Sequence, residues 1–114
     1  MPTGASLDIS GNIDIDGTTN LDVTDIDGTL NVAGETTLQT HLNLGDNDKI
    51  KLGAGSDLQI YHTGAHSLIS DQGTGSLILL TNQLDINNAG NTENMITATS
   101  DGAVSLFHNN SKKI

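Results

Sequence analysis

The sequence predicts an all-β chain, an elongated and repetitive stack of short strands. Apolar residues come in pairs two positions apart, clusters of Gly, Asn, Asp and Thr separate the pairs, and no stretch carries helical periodicity. Residues two apart in a strand share a face, so each pair directs two aliphatics inward and one polar residue outward.

In chain order the pairs are Leu7/Ile9, Ile13/Ile15, Leu21/Val23, Leu30/Val32, Leu42/Leu44, Ile50/Leu52, Leu58/Ile60, Leu84/Ile86 and Val104/Leu106. The residue between is often Asp or Asn (Asp8, Asp14, Asp22, Asn31, Asn43, Asp85), as an exposed position tolerates. The separators are GN at 11–12, DGTTN at 16–20, DGT at 27–29, AGE at 33–35 and GDND at 45–48. These are turn formers, suited to positive φ or to side-chain bonds onto the backbone. Two stretches break the pattern. Residues 68–80 hold the most apolar run, Leu77 to Leu80, expected as a strand buried on both faces. Residues 87–94 (NNAGNTEN) are polar and expected as a loop or junction. The expected organisation is an acidic Gly/Asp-rich shaft over 1–48, a strand module over 49–88 containing the buried run, and a C-terminal strand module over 89–114.

Composition limits the core. Hydrophobic residues are 34% and aromatics 2%, with Phe107 and Tyr61 the lone aromatics. Aromatic rings supply much of the buried area of compact cores, so a core here is thin and aliphatic. A thin core is marginal for a chain of this size, and association of subunits is expected. Stacked strands would form a narrow apolar stripe that must meet other stripes. A single-chain β-solenoid, in which each coil supplies every wall of its core, satisfies this. So does a homotrimer whose chains each supply one wall.

The net charge of −10 arises from 14 acids against 4 basic residues, and no Lys or Arg occurs through Asp48. A phosphate-neutralising surface is therefore not expected, which argues against nucleic-acid binding, and anionic membrane surfaces are disfavoured for the same reason. There is no cysteine, hence no disulfide or thiolate metal site. No basic-then-apolar leader follows Met1 and no apolar stretch approaches a membrane span, so a soluble chain without membrane insertion is expected.

Residues 42–62 (LNLGDNDKIKLGAGSDLQIYH) and 94–113 (NMITATSDGAVSLFHNNSKK) resemble a module of marine bacteriophage structural proteins, especially cyanophage tail-fibre-like proteins. The recurring elements are the LGDNDKIKLG turn, the DLQIYHTG segment and the VSLFHNNSKK ending. The upstream GNIDIDGTTNLDVTDIDGTLNVAGETTL looks like the Gly/Asp strand repeat that precedes this module. The resemblance implies a virion fibre or appendage protein, extracellular once assembled, that partners itself and other virion proteins and contacts a host-surface glycan or receptor. The fold it implies is an intertwined trimeric β-helix or β-prism fibre, with the single-chain β-solenoid as the alternative. Such modules usually sit inside longer chains, so the chain reads either as a fragment that continues in a longer fibre or as a short fibre subunit.

No motif carries chemistry strongly. NIDIDG at 12–17 offers alternating oxygen ligands and a Gly like the start of an EF-hand loop, but the twelfth position, where a bidentate Glu belongs, is Val23. GAGSD at 53–57 is similar to a calcium β-roll nonapeptide, but Gln59 stands where an aliphatic belongs and no tandem copy follows, so the segment is expected as a turn before a strand. His62 and His66 would share a metal on a helix, not on a strand and turn; His41 and His108 stand alone. Acids abound, but two aromatics provide no sugar platform, and no nucleophile elbow or phosphate-binding loop is visible. Only Thr97/Thr99 fits the ranked threonines of an ice-binding solenoid. The expectation is a structural protein rather than an enzyme, with no catalytic, cofactor-binding or metal residue named; the alternatives are an adhesin-like glycan-binding module using loops 61–67 or 87–94, and a β-helix depolymerase.

Overall fold

The computed structural model describes Gly4 and residues 7–114, so the first residues of the expected 1–48 shaft lie outside the described residues. The described residues form an all-β structure without a helix, and they fall into two units, residues 1–42 and 43–114.

In the first unit the chain bends at Gly11, Gly17, Gly28 and Gly34, where the turn formers cluster. The aliphatic pairs between the bends, expected as strands, form none. Every described residue from Leu7 to Leu42 is exposed. The physical reason lies in the backbone. Between Leu7 and Leu42 no residue takes a positive φ, so the bends lack the left-handed residue that folds a strand tightly back on its neighbour. A strand without a neighbour has no ladder to fix it.

The second unit holds two antiparallel sheets. The first has the order β1 (Lys49–Leu52), β2 (Leu58–His62), β3 (Ser67–Asp71). The second has the order β4 (Gln83–Asn87), β5 (Asn94–Thr99), β6 (Val104–His108), β7 (Ser111–Lys112). Of these, β1, β2, β4 and β6 coincide with aliphatic pairs of the sequence; β3, β5 and β7 do not. No strand of one sheet touches a strand of the other.

Two hairpins in this unit are copies of each other. β1 pairs with β2 through Ile50↔Ile60, Lys51↔Gln59 and Leu52↔Leu58, and β5 pairs with β6 through Ile96↔Leu106, Thr97↔Ser105 and Ala98↔Val104. Each residue of the second hairpin lies 46 positions after its counterpart, from Ile50 and Ile96 through to His62 and His108. Their connecting turns close with the same hydrogen bond. Ser56 N donates to Gly53 O at 3.0 Å, and Gly102 N donates to Thr99 O at 3.0 Å. The aliphatic–polar–aliphatic–aromatic–His strand (LQIYH, VSLFH) is the shared core of this duplication.

Turn chemistry fixes each reversal. Asn109 and Asn110 both take positive φ, 48° and 55°, the two-residue turn whose twist suits a hairpin between β6 and β7. Thr63 Oγ1 accepts from the His66 amide at 3.0 Å while Thr63 N donates to His66 O at 2.9 Å, closing the β2–β3 turn around Gly64 at φ 91°. Residues 87–94 are also a reversal: Asn88–Glu93 joins β4 to β5 within one sheet.

The run Leu77–Leu80, expected as a doubly buried strand, forms no strand, and Leu80 is 92% exposed. It has no partner on either edge and no second layer within the chain, so its apolar character collects no burial here. Among the described residues no hydrophobic side chain is buried at all.

Gly53 sits at φ 90°, and the Asp57 carboxylate lies 2.7 Å from where its Cβ would be. Gly53→Ala is expected to weaken the β1–β2 hairpin by about 1 kcal/mol or more. Hydrogen exchange should show faster amides in β1 and β2, with β5–β6 unaffected. Gly11→Ala, which meets open space, serves as the control and should change neither.

Candidate interaction surface

Residues opposite one another in an antiparallel ladder, and residues two apart along a strand, share a face. The register therefore sorts each sheet into two chemically distinct faces. In the first sheet one face carries the row Ile50–Ile60–Ile69 and the row Leu52–Leu58–Asp71, with His62 and Ser67 beside them. The other carries Lys49–Tyr61–Leu68 and Lys51–Gln59–Ser70. In the second sheet one face carries Ile86–Ile96–Leu106 and Leu84–Ala98–Val104, bounded by His108 and Ser111. The opposite face carries Asp85–Thr97–Ser105, with Phe107 and Lys112.

Burial does not follow this chemistry. The polar faces are covered in part. Lys49 Nζ donates to Gln59 Oε1 at 2.8 Å and lies 4.3 Å from the centroid of the Tyr61 ring, a cation–π placement contributing about 0.5–1 kcal/mol when exposed. Tyr61, Gln59, Leu68 and Ser70 are half-buried, and Ser105, on the polar face of the second sheet, is the one buried residue among those described, at 5% exposure. The aliphatic faces are only partly covered: Leu58, Leu84, Ile96 and Ala98 are half-buried, while Ile60 is 39% exposed, Ile69 60% and Val104 65%. Burying one such side chain fully is worth about 1.5–3 kcal/mol, and none of them collects it within the chain.

The residues singled out by chemistry are placed as follows. NIDIDG at 12–17 is exposed and forms no strand. GAGSD at 53–57 is the β1–β2 turn; the Asp57 carboxylate lies against Gly53 and Gly55, each with an oxygen 2.7 Å from the position of a Cβ. That close approach explains why glycines flank this aspartate. His62 Nδ1 is 3.1 Å from Ser67 Oγ across the β2–β3 ladder, while His66 lies in the turn. His41 is exposed. No cluster of three His, Cys, Asp or Glu able to hold a metal occurs among the described residues. Thr97 and Thr99 share a face of β5, next to Asp85 and Gln83 of β4.

Residues 87–94, named as a recognition loop, are an internally bonded turn. Asn88 Oδ1 accepts from Thr92 N at 2.9 Å and from Glu93 N at 3.2 Å, and Asn87 Nδ2 donates to Asn91 Oδ1 at 2.7 Å. The register of the β4–β5 pair shifts between Ile86 and Asn87. The face-to-face segregation was open to sequence reasoning only in part. Aliphatic pairs were visible, but the rows depend on pairings such as Ile60↔Ile69 that no spacing rule reveals, and the 46-residue duplication is masked by unlike loops.

No protein-family model, no curated protein and no solved structure matches this chain.

Asn88→Ala removes the acceptor for two amides and is expected to cost about 1 kcal/mol locally. Hydrogen exchange at Thr92 and Glu93 should then quicken by roughly five- to tenfold, while protection in β2 and β3 stays unchanged.

Proposed function

We propose that this chain is a structural segment of a bacteriophage tail fibre or virion appendage, assembled as a homotrimer and providing rigid reach toward a host surface. One observation carries the reading: two sheets each gather aliphatic rows on one face, and among the described residues no hydrophobic side chain is fully buried. The likeness of LGDNDKIKLG, DLQIYHTG and VSLFHNNSKK to virion fibre modules supports the same assignment. So does the loss of free sheet edges when copies share one core in an intertwined β-helix or β-prism. A single-chain β-solenoid is the less favoured arrangement, since the strands of the two sheets do not touch. In this reading the chain has no catalytic role, belongs to the virion, and joins other virion proteins at its ends.

A second reading, glycan recognition, is favoured by one feature. Tyr61, Lys49 and Gln59 lie together on a polar face next to the 61–67 turn, and an aromatic ring beside hydrogen-bonding groups suits a sugar. That face would point outward from a trimer, so the two readings are compatible. Glycan-array binding lost in Tyr61→Ala but retained in Phe107→Ala is the expected result if the chain itself contacts the receptor.

For the structural reading, sedimentation equilibrium or native mass spectrometry should give a mass near three times that of the 11.8 kDa chain. A stable monomer at micromolar concentration would sink it.

A further inference from the structure

We infer that the aliphatic face of each sheet, marked by Ile60 in the first and Ile96 in the second, seats against the same face of other copies of this chain. The inference rests on the proposed self-assembly for the identity of the partner, and goes beyond it in assigning the surface.

Charge and chemistry single out these faces. Lys49, Lys51, Asp85 and Lys112 all fall on the opposite faces, and the only carboxylate on an aliphatic row is that of Asp71, at the outer strand of the first sheet. A chain of net charge −10 meets a copy of itself against strong mutual repulsion. Contact is cheapest where the facing surfaces carry least charge, and those are the aliphatic rows. The polar faces are unsuited to the role. Their long side chains already bond to one another, as Lys49 does to Gln59, and burying them would strip water from Lys and Asp without a countercharge.

The two hairpins present the same arrangement, a three-residue aliphatic row with a histidine beside it, His62 in one and His108 in the other. One way of packing rows against rows thus serves both sheets. Under cyclic symmetry equivalent residues sit at one level around the axis. Ile60, on the central strand β2, would then face Ile60 of the other copies, and Ile96 would do likewise.

The absence of cysteine makes this directly testable. Neighbours along a strand point to opposite faces, so Ile60→Cys is compared with Gln59→Cys, and Ile96→Cys with Thr97→Cys. Mild oxidation or a short bis-maleimide should link chains through I60C and I96C and leave Q59C and T97C unlinked. Around a threefold axis only two of three thiols can pair, so about one third of the chains should stay single. Linking through Q59C or T97C in place of the aliphatic positions overturns the surface assignment. So does an assembly of trimer mass that links through none of the four, and in that case the trimer reading still stands. Monomer mass for the unmodified chain overturns both. Hydroxyl-radical footprinting of the unmodified chain provides a readout free of substitution. Ile69 and Val104 should react several-fold less than their exposure in the single chain implies, and full reactivity overturns the assignment.

Discussion

The structure turns on a one-sided distribution of aliphatic side chains. Each strand offers two aliphatics to one face, and antiparallel pairing lines them up into rows such as Ile50–Ile60–Ile69 and Ile86–Ile96–Leu106. A sheet with one apolar face needs a second layer. Among the described residues no second layer exists, and no strand of one sheet touches a strand of the other. The hydrophobic driving force that normally offsets backbone ordering, about 1–2 kcal/mol per residue, is therefore stored in these faces rather than spent. What holds the hairpins meanwhile is backbone pairing and turn geometry.

Turn geometry also separates the two halves of the chain. Both halves carry the aliphatic–polar–aliphatic pattern, yet strands form only from Lys49 onward. The later half contains residues in the left-handed region at its reversals: Gly53 and Ser56 before β2, Gly64 before β3, Asn91 before β5, Asp101 before β6, Asn109 and Asn110 before β7. Such residues let the backbone reverse tightly enough for neighbours to pair. From Leu7 to Leu42 there are none, and the pairs there remain without a partner in the same chain. The same composition thus produces sheets in one place and unpaired segments in another, depending on whether a reversal is built in.

The polar faces complement this division. Lys49, Gln59 and Tyr61 interlock, and Ser105 is the most protected residue described. Coverage on the aliphatic faces is likewise partial: Leu58, Leu84, Ile96 and Ala98 are half-buried, while Ile69 and Val104 stay largely exposed.

From the residues alone came the all-β class, the positions of β1, β2, β4 and β6, and the turns at 45–48 and 53–57. Side-chain alternation and turn-forming residues are local signals, readable without neighbours. The refusal of NIDIDG and GAGSD as calcium loops rested on single misplaced residues, Val23 and Gln59, equally local. Pairing decided the rest. The strands β3, β5 and β7, the pairing of β4 with β5 across the Asn88–Glu93 loop, and the open state of Leu77–Leu80 depend on which segments lie side by side. So does the sorting of every lysine of the two sheets away from the isoleucine rows. Register is a property of two strands at once, and the sequence of either one leaves it open. The aliphatic pairs were written in the chain from the start, but only the ladders assembled them into faces.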